Sequence, residues 1–344
     1  MLKANLTAPY TIQLQEADVP KIRDTEVLLK VLYTGICGSD IQMYHGKHKY
    51  MTFPVVFGHE LSAYVVKMGS AVDNFSCGDL VTVEPQVTCG RCHSCMTGHF
   101  NVCENLKVLG VHADGFMAQY VAVESSYLHK CDIGMDPRKA ALIEPLAVAV
   151  GAVRRAGFCA DANVLVIGAG TIGNLIAQAA ITHGAGKVMV SDINPIKLDT
   201  ARKCGIDLTV NAASESLADS ITNHFGQRRA DIIIDTAASR VSFKSMLAVA
   251  RPRSTIVITG NYKEPVELAM PIIQRQEIDI LGHMMYVRED FSEAITWIEQ
   301  GKIQLDEIIT ATYSFSRLTG AFAFIDNHPD NFMKILINVQ NSEE

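Results

Sequence analysis

The stretch NVLVIGAGTIGNLIAQAAITHGAGKVMVSDINPIK, Asn163 to Lys197, decides the fold. Its first five residues, Asn163 to Ile167, read as a buried strand. The strand runs into Gly168-x-Gly170-x-x-Gly173; an amphipathic helix is expected next, then a second strand ending at Asp192. Three glycines at that spacing are a weak signal alone. Placed after a strand, at the start of a helix and about 20 residues before an acid, they form the full dinucleotide-binding fingerprint. Gly168 allows the tight turn, Gly170 lets a pyrophosphate approach the backbone at the helix N-terminus, and Gly173 permits close helix–strand contact. Thr171, Ile172 and Lys197 join the same candidate cofactor set. Asp192 is placed to bond the ribose hydroxyls and to repel a 2′-phosphate, so NAD is expected rather than NADP.

Outward from this stretch the α/β alternation continues. ADIIIDTAA and STIVITG read as buried strands, and EIDILGHMMY as another near the far edge. The early chain differs: EVLLKVLYTG, LSAYVVKMG, DLVTVEP and MAQYVAVE are short strands between Gly and Asp turns, the pattern of an irregular β-domain. MKILINV near the end is strand-like and follows a long helix, DFSEAITWIEQGK, so it is expected to return to the first domain. The expected fold class is α/β: a doubly wound parallel sheet at 150–287, inserted into a β-rich domain made of 1–149 and 288–344. The active site is expected in the cleft between the two.

A length of 344 residues suits two domains, and 48% apolar residues supply their cores. The net charge of −7 leaves no basic footprint for nucleic acid. No signal-peptide pattern opens the chain and no run of about 18 apolar residues could span a membrane. Nine cysteines without an export signal suggest a reducing compartment, hence the cytoplasm, with thiols serving metals or chemistry.

CGRCHSCMTGHFNVC carries four of them, Cys89, Cys92, Cys95 and Cys103. Turns between such residues point the sulfurs inward and can close a tetrahedral shell on zinc; an iron–sulfur cluster is the rival. A closed four-thiolate shell has no open position, so this zinc is structural, and His93 and His99 are solvated loop residues. A second constellation is dispersed: Cys37 in GICGSD, His59 and Glu60 in FGHE, Glu144 in LIEPLAVAV. Thiolate, imidazole and carboxylate suit a catalytic zinc with one exchangeable position. Each piece alone has an ordinary explanation, Glu144 for instance as a carboxylate at a helix start.

In the order GICGSD, GHE, the cysteine loop, EPLAVAV and GAGTIG, the chain resembles the zinc-dependent medium-chain dehydrogenases/reductases over nearly its whole length. Glu144 makes it more similar to the polyol and threonine dehydrogenases than to the alcohol dehydrogenases that carry cysteine there, and LGVHADGFMAQY resembles a stretch of sugar-acid (hexonate) dehydrogenases. The resemblance implies a GroES-like catalytic domain with a Rossmann cofactor domain, two zinc ions and NAD per chain, and a homodimer or homotetramer. It implies oxidation of a secondary alcohol of a polyol or sugar acid to a ketone, with threonine or another small secondary alcohol as the alternative substrate. It places Cys37, His59 and a carboxylate, Glu60 or Glu144, on the catalytic zinc, Ser39 in the proton relay, and Asp40 behind the histidine ligand. The chain departs from the polyol pattern at Gln42, where relatives often have a titrating histidine, at Met43, and at Met285-Tyr286 in place of an Arg-Tyr pair; His112 and Asp114 are left as polar contacts or turn residues. A zinc-knuckle nucleic-acid binder conflicts with the acidic charge. A non-catalytic NAD-binding protein or a zinc-free reductase conflicts with the intact metal sets.

Overall fold

The computed structural model describes residues 1–157 and 160–341. They form two compact units: Met1–Glu144 with Val287–Glu299 and the residues from Ile309 onward, and Pro145–Tyr286 with Gln300–Ile308.

The second unit is built on the strand that opens the glycine motif. Asn163–Ile167 is buried throughout and pairs in parallel with Lys187–Asp192 on one side and Ala230–Asp235 on the other. Leu208–Asn211 lies beyond the former, and Ala250–Ile258 then Asp279–Gly282 beyond the latter, giving a six-stranded parallel sheet. Numbered within the unit, the spatial order is 3-2-1-4-5-6, the doubly wound order. It reverses between Asn163–Ile167 and Ala230–Asp235, and ligands of such sheets sit outside the carboxyl ends of the strands at that point. The helix after the motif, Thr171–Thr182, is not amphipathic as its sequence suggested: every residue from Gly173 to Ala180 is buried. Of its two buried polar residues Gln178 is fully bonded, and Asn174 is bonded through Oδ1 while its Nδ2 has no partner among the described residues. Gln178 donates to Asn174 Oδ1 (2.9 Å) and to Gln304 O (3.1 Å), and accepts from Gln304 N (2.6 Å), so the segment Gln300–Ile308 covers the face that would otherwise meet water.

In the first unit the main path of the large sheet runs Leu128–Lys130, Leu80–Val83, Glu60–Met68, Glu26–Ile36, Lys334–Asn338, Ile309–Ser314, and Tyr120–Glu124 also pairs on Glu26–Ile36. All four early segments expected as strands lie here, with the C-terminal strand beside them. The register of the central strand positions the site. Gly35 stands opposite Glu60, and Ile36 opposite Ile335, so Cys37, Glu60 and Lys334 meet at one end of three adjacent strands. A smaller sheet joins Thr11–Glu16, Leu2–Ala8 and Val55–Val56. Among the described residues no helix is long and apolar enough to cross a membrane.

Candidate active site and metal centres

The cysteine loop converges. One sulfur from each of Cys89, Cys92, Cys95 and Cys103 lies within 4.8 Å of the others. Cys92 and Cys103 sulfurs are 4.0 Å apart, where a tetrahedron of Zn–S bonds near 2.3 Å spaces its corners by about 3.8 Å. All four are free thiols. Backbone N–H groups are aimed at them: Cys89 N and Asn105 N donate to Cys103 Sγ at 3.3 and 3.4 Å, and those of Arg91 and Cys92 lower the Cys89 pKa to about 6. The Cys89 thiol is thereby prepared for the thiolate form, whereas burial pushes the Cys95 thiol up to about 12; the four sulfurs as a donor set fit a closed zinc site.

The dispersed constellation also converges. Ligand atoms of Cys37, His59 and Glu60 lie within 4.8 Å of one another. Cys37 follows the central strand directly and precedes the helix Gly38–Tyr44. Its N–H donates to Asp40 Oδ2 at 2.8 Å, while Asp40 Oδ1 accepts from Gly58 N at 3.3 Å and lies 3.6 Å from His59 Nδ1. Burial opposes a charge on His59, yet Asp40, then Cys37 and Glu144, outweigh it and hold the imidazole pKa well above its ordinary value. Groups that draw a proton so strongly suit a divalent cation in its place. Glu144 lies in the first turn of the helix Ile143–Arg155, buried and outside the three-residue set, though its charge acts on both His59 and Lys334. Ser39 Oγ is buried with no hydrogen-bond partner among the described residues. Met43 is fully buried in the core.

Lys334 went unread in the sequence. Its ammonium donates to both oxygens of Glu60, at 2.7 and 2.8 Å, and to Ile36 O at 3.2 Å, with the pair almost wholly buried. Its one signal is a lysine heading an apolar strand. Gly35 completes the arrangement, for a Cβ there would lie 2.0 Å from Glu60 Oε2.

In the second unit the glycine motif forms a cradle. Gly168 has φ +103°, and a Cβ on it would sit 2.4 Å from Thr236 Oγ1; one on Gly173 would sit 1.8 Å from Gly168 O. A Cβ on Gly170 would meet nothing within 4 Å, so open space adjoins the backbone where the helix begins. Thr171 and Ile172 follow as its first two residues, and Lys197 lies in the first turn of Pro195–Lys203. Asp192 ends its strand beside the motif. Its carboxylate accepts from Ala169 N (2.6 Å) and Asn194 N (2.8 Å), a bracing role that sequence reading missed. Asp235, at the end of the strand across the switch point, is also buried: it accepts from Tyr262 OH (2.6 Å) and from Ala237 and Ala238 N–H (both 3.2 Å), and burial pushes its pKa up. The room at Gly170 and the acid at Asp192 fit a dinucleotide.

Comparison with known proteins agrees with this geometry. Residues 23–133 match the alcohol dehydrogenase GroES-like domain, and residues 171–300 the zinc-binding dehydrogenase family. The chain is 30% identical to a sorbitol dehydrogenase of Bacillus subtilis over 95% of its own length and 94% of the relative's. It is 31% identical to an L-galactonate-5-dehydrogenase of Escherichia coli, covering 91% and 92%. Among solved structures, an alcohol dehydrogenase from E. coli in complex with NADH superposes with a TM-score of 0.91, at 30% identity and 98% and 99% coverage. With both family domains matched in order and relatives of at least 30% identity along nearly all of it, the chain belongs to the zinc-dependent medium-chain dehydrogenase/reductase family of oxidoreductases.

Proposed function

We propose that the protein oxidises a secondary alcohol of a polyol or sugar acid to a ketone, with NAD as hydride acceptor and zinc at the Cys37 set. The observation that carries this reading is the meeting of Cys37, His59 and Glu60 within 4.8 Å in a chain that also holds the glycine cradle. When bound, zinc supplies a Lewis acid that makes a hydroxyl more acidic, and NAD supplies the acceptor for the hydride. The chain's own residues do the rest. Cys37, His59 and either Glu60 or Glu144 hold the metal, and Asp40 orients His59 from behind. Ser39 Oγ, buried and unpartnered, accepts the proton of the alcohol. Gln42 does not titrate, so Ser39 is the group of this chain through which the proton would pass out. The four-cysteine loop holds a second, structural zinc.

The relatives named for sorbitol and L-galactonate support the substrate class. A screen of hexitols, hexonates and threonine with NAD and NADP, followed by nicotinamide absorbance, is expected to show turnover of a hexitol or hexonate, on protein carrying two zinc ions per chain. One metal per chain, or iron with sulfide, would end the two-zinc reading; turnover of ethanol above every polyol would end the substrate reading.

Asp192 should decide the cofactor. Asp192→Asn removes the charge that repels a 2′-phosphate and weakens an acceptor of the ribose hydroxyls. NAD affinity is expected to fall roughly tenfold, the scale of one charge-assisted hydrogen bond, while NADP use rises. Equal kcat/KM for both cofactors in the unaltered protein contradicts this role.

The strand Asp279–Gly282 is a sheet edge with exposed Leu268, Met270, Ile272 and Met284 in the flanking segments. An apolar edge of this kind supports the homodimer or homotetramer expected of the chain, which a monomeric mass in solution would refute. The eight cysteines described are free thiols, which favours a reducing compartment such as the cytoplasm.

A further inference from the structure

Three rings of the first unit, His48, Tyr50 and His112, are used by no step above. Tyr50 lies between the other two, its ring centroid 6.2 Å from that of His48 and 6.4 Å from that of His112. The loop that carries His112 is pinned to the residue before His59. Phe116 N donates to Gly58 O at 2.9 Å, and a Cβ on Gly110 or Gly115 would come within 2.3 or 2.2 Å of that same oxygen. His48 is near enough for the charges of His112 and His59 to add to burial in lowering its pKa. The loop of His112 therefore borders the residue before His59, and Tyr50 links that loop to His48.

Both imidazoles have their tautomer set by the backbone. His112 Nδ1 accepts from Val108 N at 3.0 Å, and His48 Nδ1 from Tyr50 N at 3.4 Å. A neutral imidazole whose Nδ1 accepts carries its proton on Nε2. Each ring thus keeps one N–H donor that no protein group takes up among the described residues. Lys47 and Lys49 flank His48, both exposed and without an ion-pair partner among the described residues. The nearby carboxylate of Asp114 accepts from Val56 N at 3.0 Å. A hydroxyl both donates and accepts, whereas a carboxylate only accepts, so a surface of N–H donors beside unpaired cations matches a carboxylate better.

We propose that His48 and His112, with Tyr50 between them, form a subsite for the carboxylate end of an acyclic sugar acid and so select hexonates over the neutral hexitols of the same carbon chain. This rests on the dehydrogenase reading above. The test uses L-galactonate and galactitol, which differ in that carboxylate, with the zinc-loaded enzyme and NAD. His48→Asn and His112→Asn keep an oxygen in the place of Nδ1, and hence the backbone bond, but remove the Nε2–H. Each is expected to lower the ratio of kcat/KM for L-galactonate over galactitol roughly tenfold, through KM rather than kcat, the scale of one hydrogen bond to a charged group. Lys49→Gln is expected to lower it less and to reduce its salt dependence. L-galactonate titrated into the enzyme–NADH complex, read by nicotinamide fluorescence, should give the same order of affinities without turnover. Preference of the unaltered enzyme for galactitol, equal losses on both compounds, or unchanged L-galactonate binding in the variants overturns the subsite and leaves the dehydrogenase reading standing. An enzyme that oxidises no compound of the screen overturns the dehydrogenase reading instead, and the titration then judges the subsite alone.

Discussion

Lys334→Met is expected to destabilise the metal-stripped protein by about 3–5 kcal/mol, measured by urea unfolding against the unaltered protein stripped in the same way. A lysine ammonium has three protons, and all three are taken: two by Glu60, at 2.7 and 2.8 Å, and one by Ile36 O at 3.2 Å. The side chains are 4% and 1% exposed, so solvent screens the pair little. Methionine fills a similar volume but leaves the Glu60 carboxylate buried and uncompensated, which costs far more than the net worth of the pair. Glu60 cannot retreat towards the central strand, where it already occupies the space that a side chain on Gly35 would need. Two comparisons separate charge from packing. Adding Glu60→Gln to Lys334→Met should restore most of the stability, because neither charge remains. The zinc-loaded form should lose less than the stripped form, because the freed carboxylate can turn towards the cation. A loss under about 1 kcal/mol in stripped protein, typical of an exposed pair, would show that water reaches Glu60 and that the pair does not fix it.

The residues legible in the sequence are those whose partners are close in the chain. The glycine cradle is nearly self-contained: Gly173 is required by Gly168 O, five residues back, and the strand, turn and helix that give the motif meaning fall within one stretch. The cysteine loop is local in the same way, four thiols within fifteen residues. The strands of both units are also marked by their own apolar runs. Their order is not, because pairing across a sheet leaves no trace in either strand alone. The meeting of Cys37, Glu60 and Lys334 depends on Gly35 facing Glu60 and Ile36 facing Ile335, and the second of these pairings spans most of the chain. Lys334 therefore reads as an ordinary lysine at a strand end. The helix Thr171–Thr182 fails for a related reason: Asn174 and Gln178 look like a wet face until Gln304 arrives to bond Gln178, which in turn donates to Asn174. Asp192 was legible as an acid at the right distance, but its grip on Ala169 N is a contact only the folded turn makes.

Cys37→Ala is expected to lower kcat/KM for the best alcohol at least about 10³-fold, because the Lewis-acid contribution it removes is worth several kcal/mol in the transition state. The substitution is clean for structural reasons. Cys37 fixes Asp40 through its backbone N–H, at 2.8 Å, and alanine keeps that bond, so Asp40 stays within reach of His59 and Gly58. The four-cysteine loop has its own complete set of sulfurs. Zinc content is therefore expected to fall from two per chain to one while the unfolding transition moves little. The dinucleotide cradle lies in the other unit and shares no residue with this set, so NADH affinity, followed by nicotinamide fluorescence, should stay close to that of the unaltered protein. This combination separates loss of the chemical step from loss of the fold. Cys103→Ser provides the contrast: it opens the closed shell, and its expected consequence is a lower unfolding midpoint with the Cys37 metal retained. If Cys37→Ala bound one zinc and still turned over within tenfold of the unaltered rate, the metal at this set would not be the group that activates the alcohol. The unpartnered hydroxyl of Ser39 would then have to be explained without it.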